Sequence, residues 1–144
     1  MSAMSDYLEN KLVDQIFRAQ SAPTTSTLYV ALYTAAPSDT GGGTEVTGGS
    51  YARVSVASSL ANWAGTQSAG STTASSGTSG ATSNNNSITF PTPSATWGTV
   101  THFALYDAAS GGNELFWGAL TIAKTVNTGD TVSFPAASLS VTFA

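Results

Sequence analysis

The chain has 144 residues, a formal net charge of −4, only 8% charged side chains against 41% hydrophobic ones, and no cysteine. This length suits one domain with one core, expected here over residues 1–144. The four scattered basic residues, Lys11, Arg18, Arg53 and Lys124, cannot build the patch a nucleic-acid binder needs, and the missing thiols exclude disulfides and thiolate metal sites.

The opening MSAMSDYLENKLVDQIFR lacks an unbroken apolar core and carries Asp6, Glu9 and Asp14, so it does not read as a secretory signal. No apolar run approaches the ~20 residues of a spanning helix, and the few cations rule out a cationic membrane-surface helix. No membrane partner is expected, and synthesis in the host cytosol is.

Residues 6–19 predict the one helix. Asp6 and Glu9 form a capping-box-like start, and Arg18 complements the dipole in the last turn. Leu8, Leu12, Val13, Ile16 and Phe17 recur on one face. That amphipathic face either packs on its own domain or docks on a neighbouring subunit. In the second case Leu12, Ile16 and Phe17 are the candidate partner interface.

TLYVALYT, residues 27–34, is apolar on both faces and predicts a central, doubly covered strand. A Gly-rich connection follows over 35–50, then a strand within 51–59. Residues 64–87 are rich in Ser, Thr, Gly and Asn. Alone they would read as a linker; here they are expected to run as an extended segment held by the domain's own sheet or by a neighbouring chain. ITF at 88–90 leads into an extended Pro segment. TVTHFALYD at 99–107 is expected to place Val100, His102, Ala104 and Tyr106 on one face and Phe103 and Leu105 on the other. AASGGN makes a hairpin turn to ELFWGAL at 114–120, and TIAKTV, TVSF and SLSVTF supply further short strands. Short strands punctuated by Gly, Pro and Asn, with a single helix at one end, predict a mainly β fold: a β-sandwich or jelly-roll-like domain with one N-terminal amphipathic helix.

The chemistry-bearing residues do not assemble into a motif. His102 is the only histidine and sits on an apolar strand, where a hydrogen-bonded structural role is expected. The nucleophile elbow G-x-S-x-G is absent, GGSYA at 48–52 being its nearest approach. Glu45, Asp107 and Glu114 are the acids expected near strand ends, but no spacing selects a glycosidase pair. Trp63, Trp97 and Trp117 could form a sugar platform, yet aromatics in small β-domains are more often core. DTGGGTE at 39–45 lacks the alternating ligands of a calcium loop, and there is no GxGxxG or P-loop. No catalytic residue, cofactor site or metal site is expected, and no enzymatic activity.

Two strings carry a resemblance: LYVALYTAAPSD with GTEV and GGSYAR, and WGTVTHF with DAASGG, flanked by SDYLENKLVDQIFR and VNTGDTVSF. From about Ser5 to about Phe134 the chain resembles a family of small virion proteins of tailed bacteriophages, with residues 64–80 matching least. That resemblance implies a non-enzymatic structural protein of the virion. Its members look like capsid cement or decoration proteins, or carry a tail-fibre label. It implies the major capsid protein as a partner, a homo-oligomer, and a place on the capsid surface. The alternative it leaves open is a tail or tail-fibre component that binds a host receptor. It also implies that Trp97, Phe103, Leu105, Phe116 and Trp117 are core, and that Gly41 to Gly43, Gly111 and Gly112 lie in turns.

Overall fold

The structure is a computed structural model that describes residues 2–22 and 25–143. In chain order its elements are β1 (Ser2–Met4), α1 (Asp6–Arg18), β2 (Thr27–Ala35), β3 (Thr44–Glu45), β4 (Val54–Ala57), β5 (Ala81–Ser83), β6 (Ile88–Thr89), β7 (Gly98–Tyr106), β8 (Glu114–Val126), β9 (Ser133–Phe134) and β10 (Ser140–Thr142). One antiparallel sheet runs β1-β8-β7-β2-β3, with β4 beside β2 on the same edge as β3. Two short ladders, β10-β5 and β6-β9, lie off it. The arrangement is mainly β and sandwich-like, as expected.

The inner face of the main sheet packs on the ladders. Val30 and Leu32 of β2, Phe103 and Leu105 of β7 and Phe116 of β8 share one core with Ile88, Phe90, Leu139 and Val141. Each such side chain, removed from water, stabilises the fold by about 1.5–3 kcal/mol. The reverse face buries Ala31, Tyr33, Ala104 and Tyr106, with Tyr29 and Trp117 against them. The central strand is therefore covered on both sides, as its sequence predicts.

Residues 114–126 form one strand where two were expected. Val100 pairs with Lys124 but His102 pairs with Ala119, so two steps along β7 span five along β8. The excess is odd, and with a side-chain period of two it reverses the facing of β7 relative to β8. Val100 accordingly joins Phe103 and Leu105 in the inner core, where simple alternation had grouped it with His102, Ala104 and Tyr106.

The helix starts at Asp6, as expected, and its N-cap is Ser5. The Ser5 hydroxyl accepts from the Leu8 amide at 3.3 Å, the Ser5 amide donates to the Leu115 carbonyl at 3.0 Å, and the hydroxyl also donates to the Glu114 carbonyl. The helix ends at Ala19 in the left-handed region, φ 54°, one residue past Arg18, which pairs with Asp14 at 2.8 Å. Only its first turn meets the core, through Tyr7 and Leu8.

The polar tract is held by its own chain. Gln67 gathers its loop: its amide donates to Ser71 Oγ at 2.6 Å and Thr73 Oγ1 at 2.8 Å, while Oε1 accepts from the Ser76 amide. Asn84, 1% exposed, donates to the Asn86 and Pro135 carbonyls, both at 2.8 Å, and accepts from the Leu139 amide at 2.9 Å. A side chain that matches strand-end backbone groups so fully replaces a ladder where none can form.

Candidate functional site

The residues with ionisable or hydroxyl groups converge at one end of the sheet's reverse face. β2 and β7 present Tyr33 and Tyr106 there, whose hydroxyls hydrogen-bond to each other. Glu114 opposes Tyr106 across the β7-β8 ladder and accepts from its hydroxyl through Oε2 at 3.0 Å.

Arg53, just before β4, reaches over the same corner. Its Nε and Nη2 hold Glu45 Oε1 and Oε2, each at 2.8 Å. Its Nη1 donates to the carbonyls of Ala108 at 3.0 Å and Gly111 at 2.9 Å, which pins the β7-β8 loop. Its guanidinium carbon lies 3.6 Å from the centroid of the Tyr106 ring. Only a planar fork can stack and chelate at once. Tyr51 completes the corner, accepting from the Leu32 amide and donating to Glu45 Oε1 at 3.0 Å.

The electrostatics follow from burial. Desolvation pushes the Tyr33, Tyr51 and Tyr106 hydroxyls above their ordinary range, so they serve as neutral donors. Burial disfavours the Arg53 charge, but the hydrogen bonds and charge of Glu45 outweigh it, and Arg53 is held above its ordinary value. Glu114 is raised above the ordinary carboxylate value, first by burial and then by the charges of Asp39 and Glu45; the Tyr106 hydrogen bond and Arg53 oppose the shift.

Next to this corner lies an open cavity of about 430 Å³, lined by Ser5, Asp6 and Tyr7 at the start of α1, by Asp39 to Gly41, and by Tyr106, Asn113 and Glu114. Asp39 is fixed by the Trp117 indole, which donates to Oδ1 at 3.1 Å, and by the Asp6 amide, which donates to its carbonyl at 2.9 Å. Glu114 is 7% exposed, and its Oε1 meets no donor of the chain among the described residues. A larger cavity of about 470 Å³ opens between the sheet and the ladders; its walls are mainly apolar, with Phe103, Ile122, Val126 and Phe134, and no carboxylate enters it.

The remaining expected positions fall as follows. His102 shares a hydrogen bond with Thr101 Oγ1 at 2.8 Å and lies beside Trp117. Glu45 is chelated by Arg53, and Asp107 is taken up by Asn113, so neither offers a free carboxylate for acid-base work. Trp97 is buried in the core and donates to the Gly49 carbonyl, while Trp63 and Trp117 are half-buried. Trp117 faces away from the inner core in which Trp97, Phe103, Leu105 and Phe116 lie. Gly41 to Gly43, Gly111 and Gly112 all take positive φ, the conformation of turn glycines. On α1, Leu12 is half-buried, Ile16 is 68% exposed and Phe17 is 78% exposed. No helix among the described residues is long and apolar enough to cross a membrane, and no three His, Asp or Glu side chains among them are grouped to hold a metal.

The Arg53 network was invisible to sequence spacing, since its members come from β2, β3, β7, β8 and two loops. An arginine in a chain with four basic residues is the one signal that could have drawn attention to it.

No curated protein matches the chain. A family model described as podophage GP4 fiber I protein gp80 matches residues 3–142. That match spans nearly the whole chain, α1, all three sheets and the Arg53 corner included, and the chain therefore belongs to this family of phage virion structural proteins.

Proposed function

We propose that this protein is a non-enzymatic component of a podophage fibre, presenting its surface to a receptor on the host cell. The observation that carries this reading is the family match from residue 3 to residue 142, whose description names a fibre protein. The side chains fit a passive role. The tyrosines are neutral, the one histidine is bonded to a neighbouring threonine, and Glu45 is locked in an ion pair. Low surface charge lowers the desolvation cost of close protein contact, and many copies on one particle make weak contacts effective.

A second reading is a capsid cement or decoration protein that binds the major capsid protein, as a homo-oligomer, on the outside of the shell. It is favoured by the compact two-layer fold without repeated shaft elements among the described residues, and by the exposed Ile16 and Phe17, which suit docking on a shell. Immunogold labelling of intact particles with antibody against this chain separates the two. Label on the tail supports the fibre reading; label spread over the head overturns it in favour of cement.

A further inference from the structure

We infer that the apolar cavity between the main sheet and the two short ladders binds the acyl chain of a fatty carboxylate, with Lys124 as its counter-charge. The sheet supplies the floor through Leu32, Val100 and Phe103, all buried and therefore fixed in place. Val132 and Phe134 line it from the ladder side, where Phe134 meets Phe103 edge to face at 6.3 Å between centroids. Ile122 also lines it and is 67% exposed, a branched apolar side chain that its own domain leaves uncovered. The volume, about 470 Å³, lies within the range of small-molecule sites, which are mainly apolar with a few polar groups that fix orientation.

The strand register places a single charge in this setting. Lys124 stands directly opposite Val100 across the β7-β8 ladder, and directly opposed side chains share one face of a sheet. Val100 belongs to the inner core, so Lys124 is on the inner face as well. It is the only charged residue lining the cavity, and it forms no ion pair among the described residues. The nearest acid along the chain, Asp130, accepts from the Asn127 amide at 2.8 Å in the turn after β8 and does not line the cavity. An occupant that matches these walls has an apolar body and an anionic head. One lysine balances one carboxylate, whereas a phosphate monoester, at roughly −1.5 to −2, would stay under-neutralised. Thr121, Ser133 and Ser140 also line the cavity, and their hydroxyls supply further donors to a carboxylate. The competing occupant is a second copy of the chain, because β1 covers the outer edge of β8 only from Phe116 to Gly118 and an inward lysine is also a device that blunts such an edge.

The inference holds for either place in the particle and does not depend on the fibre reading. The test is a titration of the full ¹⁵N-labelled chain with decanoate below its micelle concentration, followed through the Val100, Ile122, Lys124 and Phe134 amides. 1-Decanol and decyltrimethylammonium are the uncharged and cationic counterparts of equal chain length. Saturable shifts centred on those amides are expected, with decanoate about threefold or more tighter than decanol, the scale of an exposed ion pair, and decyltrimethylammonium weaker than either. Octanoate should bind more weakly than decanoate, by about fourfold for each methylene removed. Lys124→Gln should erase the advantage of decanoate and leave the affinity for decanol unchanged. Ile122 is largely exposed, so Ile122→Asp should stay folded while weakening decanoate binding about tenfold or more. Absence of saturable shifts with decanoate, equal binding of the three probes, or an advantage of decanoate that survives Lys124→Gln overturns the site. A dimer of the ligand-free protein in sedimentation, dissociated by Ile122→Asp, also overturns it and gives the groove to a second copy.

Discussion

The Arg53 guanidinium lies flat on the Tyr106 ring, 3.6 Å from its centroid. Tyr106 in turn carries Tyr33 and Glu114 on its hydroxyl, so one cation on the β4 side holds down the corner where β2, β7 and β8 meet. Arg53→Lys keeps the charge but loses the fork and the stacking surface. Because the Arg53 side chain is 8% exposed and that of Glu45 24%, the ion pair is only weakly screened. The variant should lose about 2–3 kcal/mol of unfolding free energy in urea, and Arg53→Ala about 3–5 kcal/mol, since Glu45 is then left without its partner. Equal stability of all three proteins would reduce the corner to surface decoration.

Glu114 gives the fold a pH dependence of definite sign. Its folded value lies above the ordinary 4.5, so the folded state holds the proton more tightly than the unfolded one. The burden of its buried charge is absent below about 4.5 and grows as pH rises to the folded value, above which it is complete. Glu114→Gln has no such charge. Its unfolding free energy minus that of the wild type should therefore rise between pH 4.5 and the neutral range. Denaturant titrations of both proteins across that interval check this, and a flat difference would contradict it.

Asn84 fastens the polar tract to the C-terminal ladder. Asn84→Ala strands the Leu139 amide in a buried place and takes the donor from the partly buried Asn86 carbonyl, while the Pro135 carbonyl keeps the Ser138 amide and hydroxyl. A loss of about 1–3 kcal/mol is expected, from the orphaned Leu139 amide rather than from lost apolar area. Faster hydrogen exchange at Leu139 would locate the damage; a loss below about 0.5 kcal/mol would show that solvent reaches these groups freely.

The exposed end of α1 should be separable from folding. Ile16→Asp and Phe17→Asp alter side chains that are 68% and 78% exposed, and should change stability by no more than about 0.5 kcal/mol. Leu8→Asp, which packs on the core, should destabilise strongly. If Leu12, Ile16 and Phe17 form the surface that meets the particle, the two outer variants abolish co-sedimentation with it. Undiminished co-sedimentation of folded variants would place the contact elsewhere.

Much of this architecture can be read before any coordinates. LYVALY within TLYVALYT is apolar or aromatic at every position because the middle of β2 is buried on both faces, and the helix is visible through its 3.6-residue spacing. The glycine turns follow from their positive φ. The odd register excess between β7 and β8 is not readable, because alternation along one strand says nothing about slippage against its neighbour. Asn84 sits in a run of three asparagines whose composition suggests a linker; only the packing of Phe134, Pro135 and Leu139 around it turns it into a fastener. The Arg53 corner joins residues 45, 53, 106 and 114, separations that only tertiary structure can close.

The edge strand β1 has a consequence for biosynthesis. Ser2 pairs with Gly118 and Met4 with Phe116, so β1 waits for a partner strand made more than a hundred residues later. At roughly 5–20 residues per second, that delay is about 6–23 s. During it the first turn of α1 lacks two of its anchors, the Leu115 and Glu114 carbonyls that hold Ser5. The dominance of such distant pairings also makes for slow, late folding on the millisecond-to-second scale once synthesis is complete. Over that interval β1 and α1 are unpaired, and LYVALY, an uncharged run of high β-propensity that β2 buries only in the finished sheet, is the segment through which a waiting chain would associate.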